Sequence, residues 1–336
     1  MFLQKPKVYL TRKISDRGLS KIQEAFDVEI WSEYSPPPRK VLLEKSKDAD
    51  ALVTMLADKI DKELLLASPK LKIVSQIAVG FDNIDLTEAT KRGVYVTNTP
   101  EVLTETTADF AWALLMAVAR RVVEADRYVR EGRWKVAWHP DMLTGRDIYG
   151  TTLGIVGAGR IGQAVARRAK GFDMKILYTN RSRKPEMEKT SGARRVTLDE
   201  LLRESDFASL HVALTKETTH LINAEKLALM KSTAYLINNS RGAVVEEEAL
   251  LQALLTGRIA GAALDVFEKE PTPSTNPLLK LKNVVVAPHI SSGSIETRAK
   301  MSEMVAENLK AFFMGHKPPN LVNTDVLVAN PLTKTN

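Results

Sequence analysis

From Thr152 to Gly162 the sequence runs Thr-Leu-Gly-Ile-Val-Gly-Ala-Gly-Arg-Ile-Gly, an apolar stretch that stops at three glycines spaced G-x-G-x-x-G and leads into a helix-forming segment. No other stretch limits the fold so tightly. In a strand, turn and helix unit, Gly157 allows the tight turn, Gly159 lets the backbone approach a pyrophosphate, and Gly162 lets helix and strand pack closely. The helix N-terminus adds unpaired N–H groups and partial positive charge. The pattern predicts a dinucleotide gripped by Gly157, Ala158, Gly159, Arg160, Ile161 and Gly162, with a helix over 163–170 ended by Gly171 at the C′ position.

Around this unit, short β-rich runs alternate with helix-compatible segments, the signature of parallel α/β architecture. One series has strands at 8–11, 28–31, 51–54, 72–76 and 94–97, with helices near 19–26 and 86–91. A second begins at Thr152, with strands at 175–178, 207–211, 234–238, 261–265 and 284–287 and helices near 198–204 and 246–256. With 336 residues the chain can bury two cores. The expectation is two doubly wound parallel-sheet domains: residues 1–100 plus 290–336, and a Rossmann domain over 101–289. Residues 107–130 read as one long helix, apolar on every side in its first half and so buried all round at a domain or subunit seam. A helix over 299–313 returns to the first domain, and the polar end after Pro318-Pro319 reads as frayed.

Composition removes several function classes. The chain has no cysteine, which excludes disulfides, thiolate metal ligands and a cysteine nucleophile. His139, His211, His220 and His316 lack metal spacing and read as structural or surface groups, so no metal site is expected. The net charge of +7 comes from basic residues interleaved with acidic ones rather than from a stripe, which argues for solvated faces and against nucleic acid. The longest apolar run, 110–119, is shorter than the roughly 18 residues that cross a bilayer. Residues 1–7 lack the apolar core of a secretory signal. A cytoplasmic protein with no membrane or nucleic-acid partner is expected.

In open parallel sheets ligands bind beyond the carboxyl ends of strands, and three polar residues sit there. Arg241 follows Ala234-Tyr-Leu-Ile-Asn-Asn-Ser240; Glu270 lies in Asp265-Val-Phe-Glu-Lys-Glu-Pro271; His289 follows Val284-Val-Val-Ala-Pro288. A guanidinium can hold a carboxylate through two parallel hydrogen bonds. An imidazole can deliver a proton near neutral pH, and a neighbouring carboxylate favours its charged form. On chemistry alone Glu268 competes with Glu270.

These blocks, together with Ala78-Val-Gly-Phe-Asp-Asn-Ile-Asp85, Asn239-Ser-Arg-Gly242, Gly261-Ala-Ala-Leu-Asp-Val-Phe267 and Pro288-His-Ile290, resemble the D-isomer-specific 2-hydroxyacid dehydrogenases, and within them the glyoxylate/hydroxypyruvate reductases. The matches span nearly the whole chain in family order. The resemblance implies a flavodoxin-like substrate domain beside the Rossmann domain, and NAD(P)H-dependent reduction of a short 2-keto acid. It implies that Arg241 binds the substrate carboxylate and polarises the keto group, that His289 donates the proton, and that Glu270 supports the charged form of His289; only the resemblance favours Glu270 over Glu268. It further implies that Asp265 binds the nicotinamide carboxamide, that Asn239, Ser240, Ile290 and Ser291 line the cofactor, and that the backbone at Val79 and Gly80 contacts the substrate carboxylate. The chain departs from the usual family pattern at Ala213, Ser291 and Gly293.

Members that use NAD carry an acid at the end of the second Rossmann strand to bond the ribose 2′-hydroxyl. Here that place is Asn180, followed by Arg181, Ser182 and Arg183. Loss of the carboxylate removes repulsion against a 2′-phosphate, and arginines can pair with it, so NADP(H) is expected in preference to NAD(H). Leu56 and Trp138 are candidate pocket walls, and a homodimer is expected because an aromatic from the latter region crosses a dimer seam in similar reductases. Two other readings stay open: a corepressor-like dinucleotide sensor, which keeps the scaffold, and a phosphoglycerate dehydrogenase.

Overall fold

The structure, a computed structural model, describes residues 5–332; the reading of residues 1–4 and the outermost domain limits lie outside them. The chain divides into two compact units, Met1–Leu103 with Gly293–Asn336, and Thr104–Ser292.

The first unit opens with β1 (Lys7–Leu10), α1 (Asp16–Ala25), β2 (Asp27–Ile30), α2 (Arg39–Ser46), β3 (Ala51–Thr54), α3 (Lys62–Ala67), β4 (Ile73–Gln76), α4 (Leu86–Lys91) and β5 (Tyr95–Thr97). Its five strands are parallel in the order β2-β1-β3-β4-β5, a flavodoxin-like arrangement. Strands covered on both faces should be apolar nearly throughout, and β3 and β4 are buried at every position. Asp61 and Asp85 cap α3 and α4 by accepting from the N–H groups of Leu64 and Glu88.

The second unit begins with α5 (Thr104–Ala119) and α6 (Val122–Arg130). The single helix expected over 107–130 is therefore broken. Arg121 adopts φ 54° and its guanidinium closes on Glu124 at 2.8 and 2.9 Å, a left-handed residue that no helix can run through. Nor is the first half buried all round: Ala113 is exposed and Phe110, Met116 and Ala117 are partly so. The sheet follows: β6 (Thr152–Val156), α7 (Arg160–Ala169), β7 (Lys175–Thr179), α8 (Pro185–Ser191), β8 (Arg194–Arg195), α9 (Leu198–Glu204), β9 (Phe207–Leu210), α10 (Ala224–Leu227), β10 (Tyr235–Asn238), α11 (Glu247–Leu255), β11 (Gly261–Leu264) and β12 (Val284–Val286). The order β12-β11-β10-β9-β6-β7-β8, all parallel, is doubly wound. The strand order reverses between β6 and β9, which marks the carboxyl edge there as the ligand position. After α7 the chain tightens into a 3-10 turn over Lys170–Phe172, and the left-handed residue is Asp173, φ 50°, not Gly171.

The chain returns to the first unit with α12 (Ile295–Phe313) and α13 (Val326–Ala329). α12 packs on α1 so closely that a Cβ on Gly18 would lie 2.2 Å from the backbone of Ser302. The segment after Pro319 is not frayed as far as it is described. Val322 N–H donates to Val96 O at 2.8 Å, and Asn323 accepts from Val96 N–H at 2.8 Å while donating to Thr90 Oγ1 and Val94 O. The polar side chains that read as solvent-facing instead satisfy the edge of β5. Among the described residues, no helix is long and apolar enough to cross a membrane.

Candidate active site

The glycine turn shows why each glycine is there. Gly157 sits at φ 97°, and a Cβ on it would meet His211 O at 2.7 Å; one on Gly162 would meet Gly157 O at 2.1 Å. A Cβ on Gly159 would meet nothing within 4 Å, so that backbone is open to a large group. Gly159 caps α7 without a side-chain partner, and the helix start keeps its anion-binding character. The residues fit a dinucleotide pyrophosphate.

Past β7, Asn180 takes the place of the ribose-binding acid. Its Oδ1 accepts from Ala158 N–H at 3.2 Å and its Nδ2 donates to Ser182 O at 2.9 Å. The two arginines differ. Arg183 grips Glu188, which also accepts from Tyr178 Oη. The Arg181 side chain is exposed and makes no hydrogen bond or close ion pair among the described residues, although its charge reaches the carboxyl of Glu217, while its carbonyl takes Arg195 Nη2 at 3.0 Å.

At the exit of β10, Asn238 builds the turn that presents Arg241. It donates to Arg241 O at 2.9 Å and accepts from Ser240 N–H and Oγ; Arg241 Nη1 in turn donates to Ser240 O at 2.8 Å. Asn239 is buried and donates to Thr107 O in the first turn of α5 at 3.1 Å. Its Oδ1 and the Thr107 Oγ1 are both buried without a partner. Orphan polar atoms of this kind are costly and leave bonding capacity that a bound group or water can take up.

Glu270 and His289 meet. Nδ1 of His289 lies 2.7 Å from Glu270 Oε2, and Glu270 Oε1 accepts from Phe267 N–H at 3.0 Å. An ionised carboxylate can only accept, so Nδ1 carries a proton and Nε2 is left to act on another molecule. Burial pushes the Glu270 carboxyl up, but the hydrogen bond and charge of His289, the Phe267 N–H and the charge of Arg241 together hold it below its ordinary range. Glu268, its rival on chemistry, is instead paired with His220 at 2.9 Å. Asp265, fully buried at the end of β11, fixes the histidine turn: its carbonyl accepts from His289 N–H at 2.8 Å, and its carboxylate accepts from Ile290 N–H at 2.8 Å, Ser291 N–H at 2.9 Å and Ser291 Oγ. These bonds hold His289 at φ 55°, a conformation a non-glycine residue adopts only when its surroundings dictate it.

A paired imidazole and carboxylate, a guanidinium and an open glycine turn, all in one doubly wound unit, suit hydride chemistry on a keto acid. Residues 112–291 match the family of the D-isomer specific 2-hydroxyacid dehydrogenase, NAD binding domain. The chain belongs to the D-isomer specific 2-hydroxyacid dehydrogenases. A glyoxylate reductase of Korarchaeum cryptofilum is 64% identical over 327 residues, 97% of this chain and 98% of its own length. A Thermus thermophilus protein of known structure is 45% identical with a TM-score of 0.89, covering 94% of this chain and 99% of its own. The structure of an NADPH-dependent glyoxylate/hydroxypyruvate reductase from Sinorhizobium meliloti, in complex with NADP and malonate, is 34% identical with a TM-score of 0.83, covering 99% and 100%.

As a 2-hydroxyacid dehydrogenase the protein is an oxidoreductase that uses a nicotinamide dinucleotide, and its substrate is a small keto or hydroxy acid. The remaining pocket candidates are distributed as follows. Leu56 lies in the turn after β3, and Val79 and Gly80 in the loop after β4, all in the first unit. Trp138 lies in the second unit, 75% exposed, in a segment without regular structure. Sequence reasoning missed Thr107 and Asn98. A threonine among alanines reads as helix filler, and an asparagine after a strand reads as a turn former; only their partners reveal more.

Proposed function

We propose that this enzyme reduces glyoxylate or hydroxypyruvate to the 2-hydroxy acid with NADPH, as a cytoplasmic homodimer. The observation that carries the reading is the 2.7 Å contact between His289 and Glu270, with Arg241 close enough to act on the Glu270 carboxyl. A reduced nicotinamide, when bound, would supply a hydride to the keto carbon. Arg241 binds the substrate carboxylate and polarises the carbonyl, a role suited to a fixed cation beside developing negative charge. His289 gives its Nε2 proton to the alkoxide oxygen, and Glu270, ionised at working pH, supports the charged imidazole that makes the transfer possible. On the family resemblance, the backbone N–H groups of Val79 and Gly80 in the first unit are assigned to the substrate carboxylate. Asn239, Thr107, Ser240, Asp265, Ile290 and Ser291 shape the nicotinamide end.

Preference for NADPH over NADH is supported by Asn180, which adds no charge against a 2′-phosphate, and by the exposed Arg181 guanidinium, which no close ion pair holds among the described residues and whose charge reaches the exposed Glu217. Arg183 contributes less because Glu188 already holds it. The homodimer is supported by apolar side chains left exposed on and after α6, among them Val122, Val129, Trp134 and Trp138. Relatives named as glyoxylate reductases favour reduction over the sensor and phosphoglycerate readings.

The test is turnover of a panel of short 2-keto acids with each nicotinamide. Glyoxylate and hydroxypyruvate with NADPH should give the highest kcat/KM. Binding of NADPH without turnover of any short keto acid would refute the reading in favour of a sensor.

A further inference from the structure

β4 ends at Gln76, and the chain then forms a short loop in which three successive carbonyls are occupied. Ala78 O accepts from Thr99 N–H at 2.9 Å, Val79 O from Asn98 Nδ2 at 2.8 Å, and Gly80 O from Gln76 Nε2 at 3.4 Å. The peptide bonds here are trans, so each C=O points opposite to the N–H of the next residue. Anchoring the carbonyls of Ala78 and Val79 on the residues after β5 therefore turns the N–H groups of Val79 and Gly80 to the opposite side together. Both residues are partly exposed, and neither N–H has an acceptor among the described residues. Adjacent N–H groups turned the same way form an anion-binding concavity.

We infer that Asn98 is a positioning residue for the substrate carboxylate: its side-chain amide sets the direction of the Gly80 N–H by holding the Val79 carbonyl. The structure reserves Asn98 for this. Its backbone is tied on both sides, N–H to Asn320 O at 3.2 Å and C=O to Asn308 Nδ2 at 3.2 Å. Asn308 is fully buried on α12 and accepts from the Asn320 backbone and side chain through Oδ1. Gln76 is the second grip. Its Oε1 accepts from Thr54 Oγ1 at 2.6 Å and its Nε2 donates to Asn83 Oδ1 at 2.8 Å, while Asn83 Nδ2 donates to Met55 O and Asp58 O. The donors and acceptors along that chain are matched, which leaves one orientation for each amide.

The inference rests on the carboxylate reading of Val79 and Gly80, and the experiment separates the two. Asn98→Asp keeps size but sets an acceptor against a carbonyl; Asn98→Ala removes the grip; Gly80→Pro deletes one of the two N–H groups. Full-length enzyme with NADPH is assayed for glyoxylate kcat and KM, for oxamate dissociation by calorimetry, and for NADPH dissociation by fluorescence. Both Asn98 variants should raise KM and the oxamate dissociation constant about tenfold, the scale of one well-placed hydrogen bond to a charged group. They should leave kcat and NADPH binding within about twofold. If Asn98→Asp does not fold, Asn98→Ala decides by the same split between KM and kcat. Wild-type oxamate binding in the Asn98 variants, with weakened binding in Gly80→Pro, would overturn the positioning role and keep the carboxylate contact. Wild-type binding in all three would overturn both.

Discussion

His289 Nδ1 lies 2.7 Å from Glu270 Oε2, and the other oxygen of Glu270 is held by the N–H of Phe267 at 3.0 Å. The carboxylate is thus aimed by the backbone before it meets the ring, and the ring is held by a turn fastened to Asp265. The geometry of the pair is a property of the fold rather than of two flexible side chains.

Glu270→Gln keeps the shape and removes the charge. Turnover should fall about 100-fold, the usual scale for disabling acid–base assistance, with NADPH affinity unchanged. Because the carboxyl is held below its ordinary value of 4.5, its contribution is fully present above that value and disappears as pH falls through the lowered one. The wild-type kcat/KM profile should therefore lose activity on the acid side below about 4.5, and the variant should lack that limb. Identical profiles would remove Glu270 from the acid–base role.

Arg181→Ala should weaken NADPH about tenfold or more while leaving NADH unchanged, since a charge-assisted bond to phosphate is worth roughly 1.5–3 kcal/mol. Arg183→Ala should do less, because that guanidinium is engaged by Glu188. Fluorescence titration with both nucleotides checks this; an unchanged NADPH to NADH ratio in Arg181→Ala would exclude the phosphate contact.

Gly18→Ala forces a methyl into Ser302, whose backbone lies 2.2 Å from where the Cβ must go. Separating α1 and α12 should cost about 1–3 kcal/mol, read from denaturant unfolding. No change in the midpoint would mean that the helices part without strain.

His211, whose Nε2 lies 2.8 Å from Ser209 Oγ, has its pKa pushed down to about 3 by burial. The unfolded chain binds a proton near 6.5 that the folded chain refuses, so stability should drop as pH falls from about 6.5 toward 3. His211→Gln should be less sensitive between about pH 7 and pH 5, measured by urea midpoints; equal losses would show that this ring does not govern the acid response.

Much of this was legible in the sequence because the relevant physics is local. A glycine turn demands small residues at fixed spacing, and a mostly apolar run such as Ala51–Thr54 has few places to go except a covered strand. What was hidden depends on partners far along the chain or on a backbone reversal. Arg121 breaks a helix that its neighbours continue, and only its clasp on Glu124 explains the left-handed turn. Asn323 reads as a polar tail until Val96 and Thr90 appear beside it. Glu268 and Glu270 are two residues apart with the same chemistry; the fold sends one to His220 and the other to His289. Helices α3 and α8, of 6 and 7 residues, are too short for periodicity to declare them.

The most direct test of the account is single-turnover reduction of glyoxylate by bound NADPH in wild type and His289→Gln. The variant should bind NADPH as wild type does and reduce the keto acid at least about 100-fold more slowly. A variant that keeps the wild-type single-turnover rate would show that the proton comes from elsewhere, and the assignment of His289 would be wrong.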